Sequence, residues 1–130
     1  MNRKSLQNID DIKLLVDTFY GRIQNNKLLG PIFNEKIQDR WPSHMNTMYS
    51  FWNTVLFSEI GYSGSPFPKH ASLPITKEHF DEWTLLFKKV VTELFEGEKA
   101  DEAIWRAERM AEMFNFKIES IRSSGFPPIV

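Results

Sequence analysis

The chain has 130 residues, 42% of them apolar, with 11 Phe and 4 Trp, which suits one domain around one core rich in flat aromatic surface. Lys and Arg total 16 against 17 Asp and Glu, a formal net charge of −1, so the charge balance points neither to nucleic acid nor to a polybasic membrane patch. The lack of cysteine excludes disulfides, thiolate-held metals, cysteine nucleophiles and thioether attachment of a cofactor.

The opening MNRKSLQNIDDIKLL has no apolar secretion core, and no run of about 18 apolar residues is present to span a bilayer. A soluble cytoplasmic protein is the expectation. The first helix is expected from Ser5 or Asn8 to about Asn26. Ile9, Ile12, Leu15, Val16, Phe19 and Ile23 fall near the helical period, with Tyr20 at the edge of the stripe. Gly21 weakens that helix and predicts a bend, a break or a close approach of another backbone.

Asn25-Asn26 and Gly30-Pro31 read as stop signals, giving a tight apolar connection with at most one helical turn. Residues Asn34 to Arg40 read as a solvent-facing link. The second helix begins at Trp41-Pro42 and closes at Phe57-Ser58. Counting from His44, the side chains of Met48, Phe51, Trp52 and Val55 share one face. Residues 59–68 carry two glycines and two prolines and are read as irregular, with one helical turn possible over 69–73. Thr76 is a good N-cap for a third helix running to about Glu96, with Phe80, Trp83, Phe87, Val90, Val91 and Leu94 inward. Gly97 ends it. The last helix spans roughly Lys99 to Ser123. No strand-like alternation, repeat or linker is visible, so the chain reads as a single all-α domain over residues 1–130.

All three histidines lie between Trp41 and Phe87. His70 sits in a segment framed by Pro66, Pro68 and Pro74, which stiffen the backbone carrying its imidazole. A haem iron needs one such neutral nitrogen ligand. The structural alternative is a surface turn histidine. His44 opens the aromatic second helix, one turn before Met48, where it closes a pocket or simply caps the helix. His79, in the first turn after Thr76 beside Glu78, Asp81 and Glu82, reads as structural and solvated. Tyr20 and Trp83 each put a hydrogen-bond donor inside an apolar stripe; either both face a polar diatomic ligand or each reaches a backbone carbonyl. Phe33, Met48, Phe51 and Trp52 serve equally as cavity wall and as plain core. No H-E-x-x-H motif, Glu-x-x-His pair, phosphate loop or nucleophile elbow is present.

In order and spacing, these motifs resemble the group III truncated haemoglobins of bacteria over nearly the whole chain. The resemblance rests on FYGRI around Tyr20, LGPIFN around Phe33, W-P-x-H ending at His44, FW at 51–52, Y-x-G-x-P at 62–66, K-H-x-x-L-P around His70 and H/F-F-x-x-W at 79–83. It implies a truncated globin fold, a two-on-two helical sandwich around non-covalent haem b. It implies that His70 is the proximal iron ligand and that Tyr20, His44 and Trp83 are the distal polar residues. Phe33 would pack on the porphyrin, and Met48, Phe51 and Trp52 would line the distal side. Lys69 and Arg40 are candidate propionate partners.

The function expected is binding of oxygen, or another diatomic such as NO or CO, with slow oxygen release. One alternative is a peroxidase-like or NO-detoxifying haem enzyme fed by an external reductase, since the chain has no reductase domain. Another is a non-haem helical interaction module. With no heptad seam visible, a monomer is expected, without nucleic-acid or membrane partners.

Overall fold

The computed structural model of the chain describes residues 3–59 and 75–124. His70 and Lys69, and the helical turn expected around them, lie outside the described residues.

A short strand β1, Lys4–Ser5, precedes the first helix α1, Ile9–Gln24. Asn8 caps α1, its Oδ1 accepting the Asp11 N–H at 3.1 Å. Asp11 reciprocates: its carboxylate accepts the Gln7 N–H at 2.9 Å and pairs with Lys4 at 2.6 Å. The inward stripe is Ile12, Leu15, Val16, Phe19, Tyr20 and Ile23, whereas Ile9 faces out. Gly21 does not break α1 and meets no other backbone, since the helix runs through it and a Cβ there would find nothing within 4 Å.

The glycine that permits close approach is Gly30. A Cβ at this position would lie 2.8 Å from the Gln24 carbonyl oxygen. The connection before it is organised by Asn26, whose Oδ1 accepts the N–H groups of Leu28 and Leu29, each at 2.9 Å, and whose Nδ2 donates to Glu82 at 2.8 Å. Gly30 and Pro31 then start a helix, α2, Gly30–Ile37, where a stop and an exposed link were expected. Proline suits a first turn because its missing N–H would have had no intrahelical partner there. A 3-10 turn, Gln38–Arg40, leads directly into α3, Trp41–Phe57.

Ser58 ends α3 in the left-handed region at φ 58°, its N–H donating to the Thr54 carbonyl at 3.0 Å. Lys99 reaches across to donate to the Leu56 carbonyl at 2.6 Å, satisfying another open end of the same helix. The helix α4, Lys77–Leu94, and the helix α5, Glu98–Ser124, are joined by a short strand, β2, Phe95–Glu96, and by Gly97 at φ 99°. β1 and β2 pair in parallel, Lys4 with Phe95 and Ser5 with Glu96, and Arg3 donates to the Thr92 carbonyl at 2.9 Å. These two-residue strands are too short to leave an alternating pattern in the sequence.

The helices form two pairs, α1 with α3 and α4 with α5, and α1 packs on α4. Phe19, Phe87, Phe95, Leu15, Val90 and Val91 fill the shared core. Trp52, Phe87 and Trp83 form one stack, with centroids 4.9 Å and 5.8 Å apart and planes within 19° and 10° of parallel. Phe19 meets Phe87 and Trp83 edge-on. A smaller cluster, Ile75, Phe114 and Ile118, stands apart from this core. No helix among the described residues is long and apolar enough to cross a membrane.

Candidate functional site

A cavity of about 450 Å³ is walled by Phe33 and Ile37 from α2, His44, Met48, Phe51 and Trp52 from α3, Phe80 and Trp83 from α4, and Met110 and Phe114 from α5. Tyr20 of α1 completes it. Its size lies within the range typical of small-molecule and cofactor sites, roughly 300–1,000 Å³. The helical period explains the α3 wall: His44, Met48, Phe51 and Trp52 follow the spacing of one face, while Val55, one turn further, packs on the core instead.

Seven residues singled out in the sequence thus meet around one space: Tyr20, Phe33, His44, Met48, Phe51, Trp52 and Trp83. Tyr20 is 5% exposed, and burial pushes its hydroxyl far above the ordinary tyrosine range, so it stays a neutral donor. Its ring meets the His44 ring edge-on, centroids 5.0 Å apart at 90°. Trp41 meets His44 at 5.6 Å and 89°, and Tyr20 at 6.1 Å, so the three rings form a triangle in mutual contact. The imidazole is therefore packed against two aromatic rings, with Nε2 fully buried. Trp41 received no role from the sequence, although its i, i+3 spacing from His44 placed the two side by side.

His79 takes the structural role expected of it but is not fully solvated. It is half-buried and lines the cavity, and its Nδ1 accepts the Thr76 N–H at 3.0 Å. That contact completes a capping box at the start of α4, with histidine in the position usually held by Glu or Gln.

Residues 34–40 are solvent-facing as expected, apart from buried Ile37, but they are helical rather than a link. Lys36, Ile37 and Arg40 line the cavity, along with Ser43 and Thr47. Arg40 donates to the carbonyls of Lys36 and Ile37, closing the end of α2 and fixing its own guanidinium at the rim. Among the described residues, no carboxylate lines the space. Among the described residues, the rim is therefore positive and the walls mostly apolar, with Tyr20, Ser43, His44, Thr47, His79 and Trp83 as polar lining groups. This combination fits a flat apolar molecule that carries acidic substituents at its edge.

Comparison with known proteins agrees with the geometry. Residues 7–117 match the family described as bacterial-like globin. Over 111 residues the chain is 32% identical to a group 3 truncated haemoglobin of Campylobacter jejuni, covering 82% of this chain and 87% of that protein. The crystal structure of a group III truncated haemoglobin from Campylobacter jejuni superposes with a TM-score of 0.83 at 30% identity, covering 90% of this chain and 95% of the other. The paired helices and the aromatic cavity between them are thus a truncated globin fold, and the chain belongs to the bacterial-like globins, among the group III truncated haemoglobins.

Proposed function

We propose that the cavity holds haem b non-covalently and that the protein binds oxygen or another diatomic gas there. The observation that carries this reading is the convergence of the Tyr20 hydroxyl, the His44 imidazole and Trp83 on one apolar cavity of about 450 Å³ with cationic Lys36 and Arg40 at its rim. The group supplies an iron centre at which a diatomic is held and polarised. His70, carried by K-H-x-x-L-P, would be the imidazole ligand to that iron.

The chain's own residues then divide the work. Phe33, Met48, Phe51 and Trp52 exclude water and clamp the macrocycle. Lys36 and Arg40, and Lys69 beside His70, attract its carboxylates. The Tyr20 O–H and the Trp83 indole N–H would be the donors to a diatomic held in the cavity. A hydrogen bond to a charged acceptor contributes about 1.5–3 kcal/mol, so two such donors slow release by more than about a hundredfold. Slow release favours retention or conversion of the ligand over transport. Any turnover of peroxide or NO draws electrons from a separate reductase.

The test is an absorption spectrum of purified protein after haem addition, in ferric, ferrous and CO-bound states, for wild type and His70→Ala. A stoichiometric Soret band, with the ferrous histidine-ligated signature lost in the variant, is the expected result. Weak, non-stoichiometric uptake indifferent to His70 would sink the reading and leave a helical interaction module.

A further inference from the structure

The outer face of α5 is aromatic where a solvated helix should be polar. Its inner face buries Ala103, Ala107, Ala111, Phe114 and Ile118. On the opposite face, Trp105 is 53% exposed, Met113 45% and Phe116 71%. Trp105, Arg109, Glu112 and Phe116 follow one another at intervals of four, three and four residues, so they form a single seam along the helix. The guanidinium groups of Arg106 and Arg109 lie 5.8 and 6.0 Å from the Trp105 ring, and Arg109 pairs with Glu112 at 2.9 Å.

The seam is symmetric about its own midpoint. Trp105 and Phe116 stand equally far from the point between Met110 and Ala111, and so do Arg109 and Glu112. A twofold axis through that point runs a second α5 antiparallel to the first. It sets Trp105 of each copy against Phe116 of the other, and Arg109 of each against Glu112 of the other. The same patch then serves on both sides, as an isologous interface requires. Aromatic anchors sit at both ends and opposite charges face each other at the centre, with Met113 on the flank. An unrelated partner would not require this mirror arrangement of two pairs about one point.

We infer that the protein self-associates into a symmetric dimer through the Trp105–Phe116 face of α5. This departs from the monomer expected from the sequence, where Arg109 and Glu112 hide the seam because they occupy two of its four positions with charge. The intrahelical Arg109–Glu112 pair is exchanged for two equivalent pairs across the interface, so no charge is left unmatched. The opposite side of the same turns carries Met110, Ala111 and Phe114 of the cavity wall, so the interface backs directly onto the functional site.

The test is sedimentation equilibrium of the full chain over a concentration series, with circular dichroism to establish that each variant is folded. Wild type should pass from the 15.3 kDa monomer to twice that mass as concentration rises. Phe116→Glu should remain monomeric. Arg109→Glu sets glutamate against glutamate and should weaken association by roughly tenfold or more. Adding Glu112→Arg to that variant reverses both charges and should restore association to near the wild-type level. A wild-type chain that stays monomeric up to about 1 mM, or a dimer indifferent to Phe116→Glu and to the charge exchange, overturns the inference. Neither result bears on whether the cavity takes haem.

Discussion

Tyr20 and His44 meet edge to face, with ring centroids 5.0 Å apart and planes at 90°. One comes from α1 and the other from the first turn of α3, so the contact ties two helices together at the wall of the cavity. It uses the rings alone and leaves the Tyr20 hydroxyl for other work. Tyr20→Phe therefore keeps the packing and removes the donor. In haem-loaded protein, oxygen release measured by stopped flow should accelerate by about 10- to 100-fold. An unchanged off-rate would show that Tyr20 is not the stabilising donor.

Trp83 is stacked on Phe87 and meets Phe19 edge-on. Trp83→Phe preserves a ring in that stack and deletes the indole N–H. Because Tyr20 also contacts Phe19, at 5.0 Å, the two proposed donors share a supporting side chain. The double variant Tyr20→Phe with Trp83→Phe should deviate from additivity by more than about 0.5 kcal/mol in a double-mutant cycle on the oxygen off-rate. Strict additivity would mean that the two donors act separately.

Gly30 and Gly21 make a matched pair for stability. Alanine at 30 would force a methyl group to 2.8 Å from the Gln24 carbonyl, and backbone on both sides leaves little room to yield. Gly30→Ala should destabilise by about 1–3 kcal/mol in urea unfolding. Gly21 lies inside α1 with open space around its Cα, so Gly21→Ala should stabilise by about 0.5–1 kcal/mol. Equal effects at the two positions would contradict the close approach at Gly30.

Asp11 is 3% exposed. Burial pushes its carboxyl upward, but the Lys4 ammonium and the N–H groups of Gln7 and Asn8 outweigh it and hold the group below its ordinary value of 3.8. Because the folded value lies below the unfolded one, the stabilisation is present above pH 3.8 and is lost as pH falls through the folded value. Asp11→Asn should cost about 1–3 kcal/mol at pH 7 and less near pH 2, in urea titrations at the two pH values. A cost undiminished at low pH would assign the role of Asp11 to shape rather than charge.

The parts of the fold legible in the sequence are those whose signals are local. Asn8 and Thr76 mark the starts of α1 and α4 as caps, and the face of α3 follows from its spacing. The region after α1 is where local reading fails. Gly30-Pro31 looks like a stop because both residues break a helix from within, yet proline also opens one, and α2 has no side-chain cap to announce it. Its amphipathic character is weak, since Ile37 is buried while Lys36 and Arg40 reach the cavity rim with their charged ends. His79 was read rightly as structural, but its partial burial was hidden for a related reason. Its acidic neighbours suggested solvent, but the ring turns back to the Thr76 N–H and toward the cavity. The contact between Tyr49 and Asp17, which stitches α3 to α1, depends on tertiary geometry that no spacing rule encodes.

The Arg3 to Thr92 hydrogen bond spans 89 residues, and the β1–β2 pair beside it spans a similar stretch. Bringing such distant segments together closes a loop over about two thirds of the chain, an entropic cost that grows with loop length. The strand pair is therefore a seal that costs more chain entropy to form than a contact between neighbouring helices. Leu6, buried at 2% just beyond it, is held in the core by that seal, so the extreme N-terminal arm controls how long the core stays closed to water.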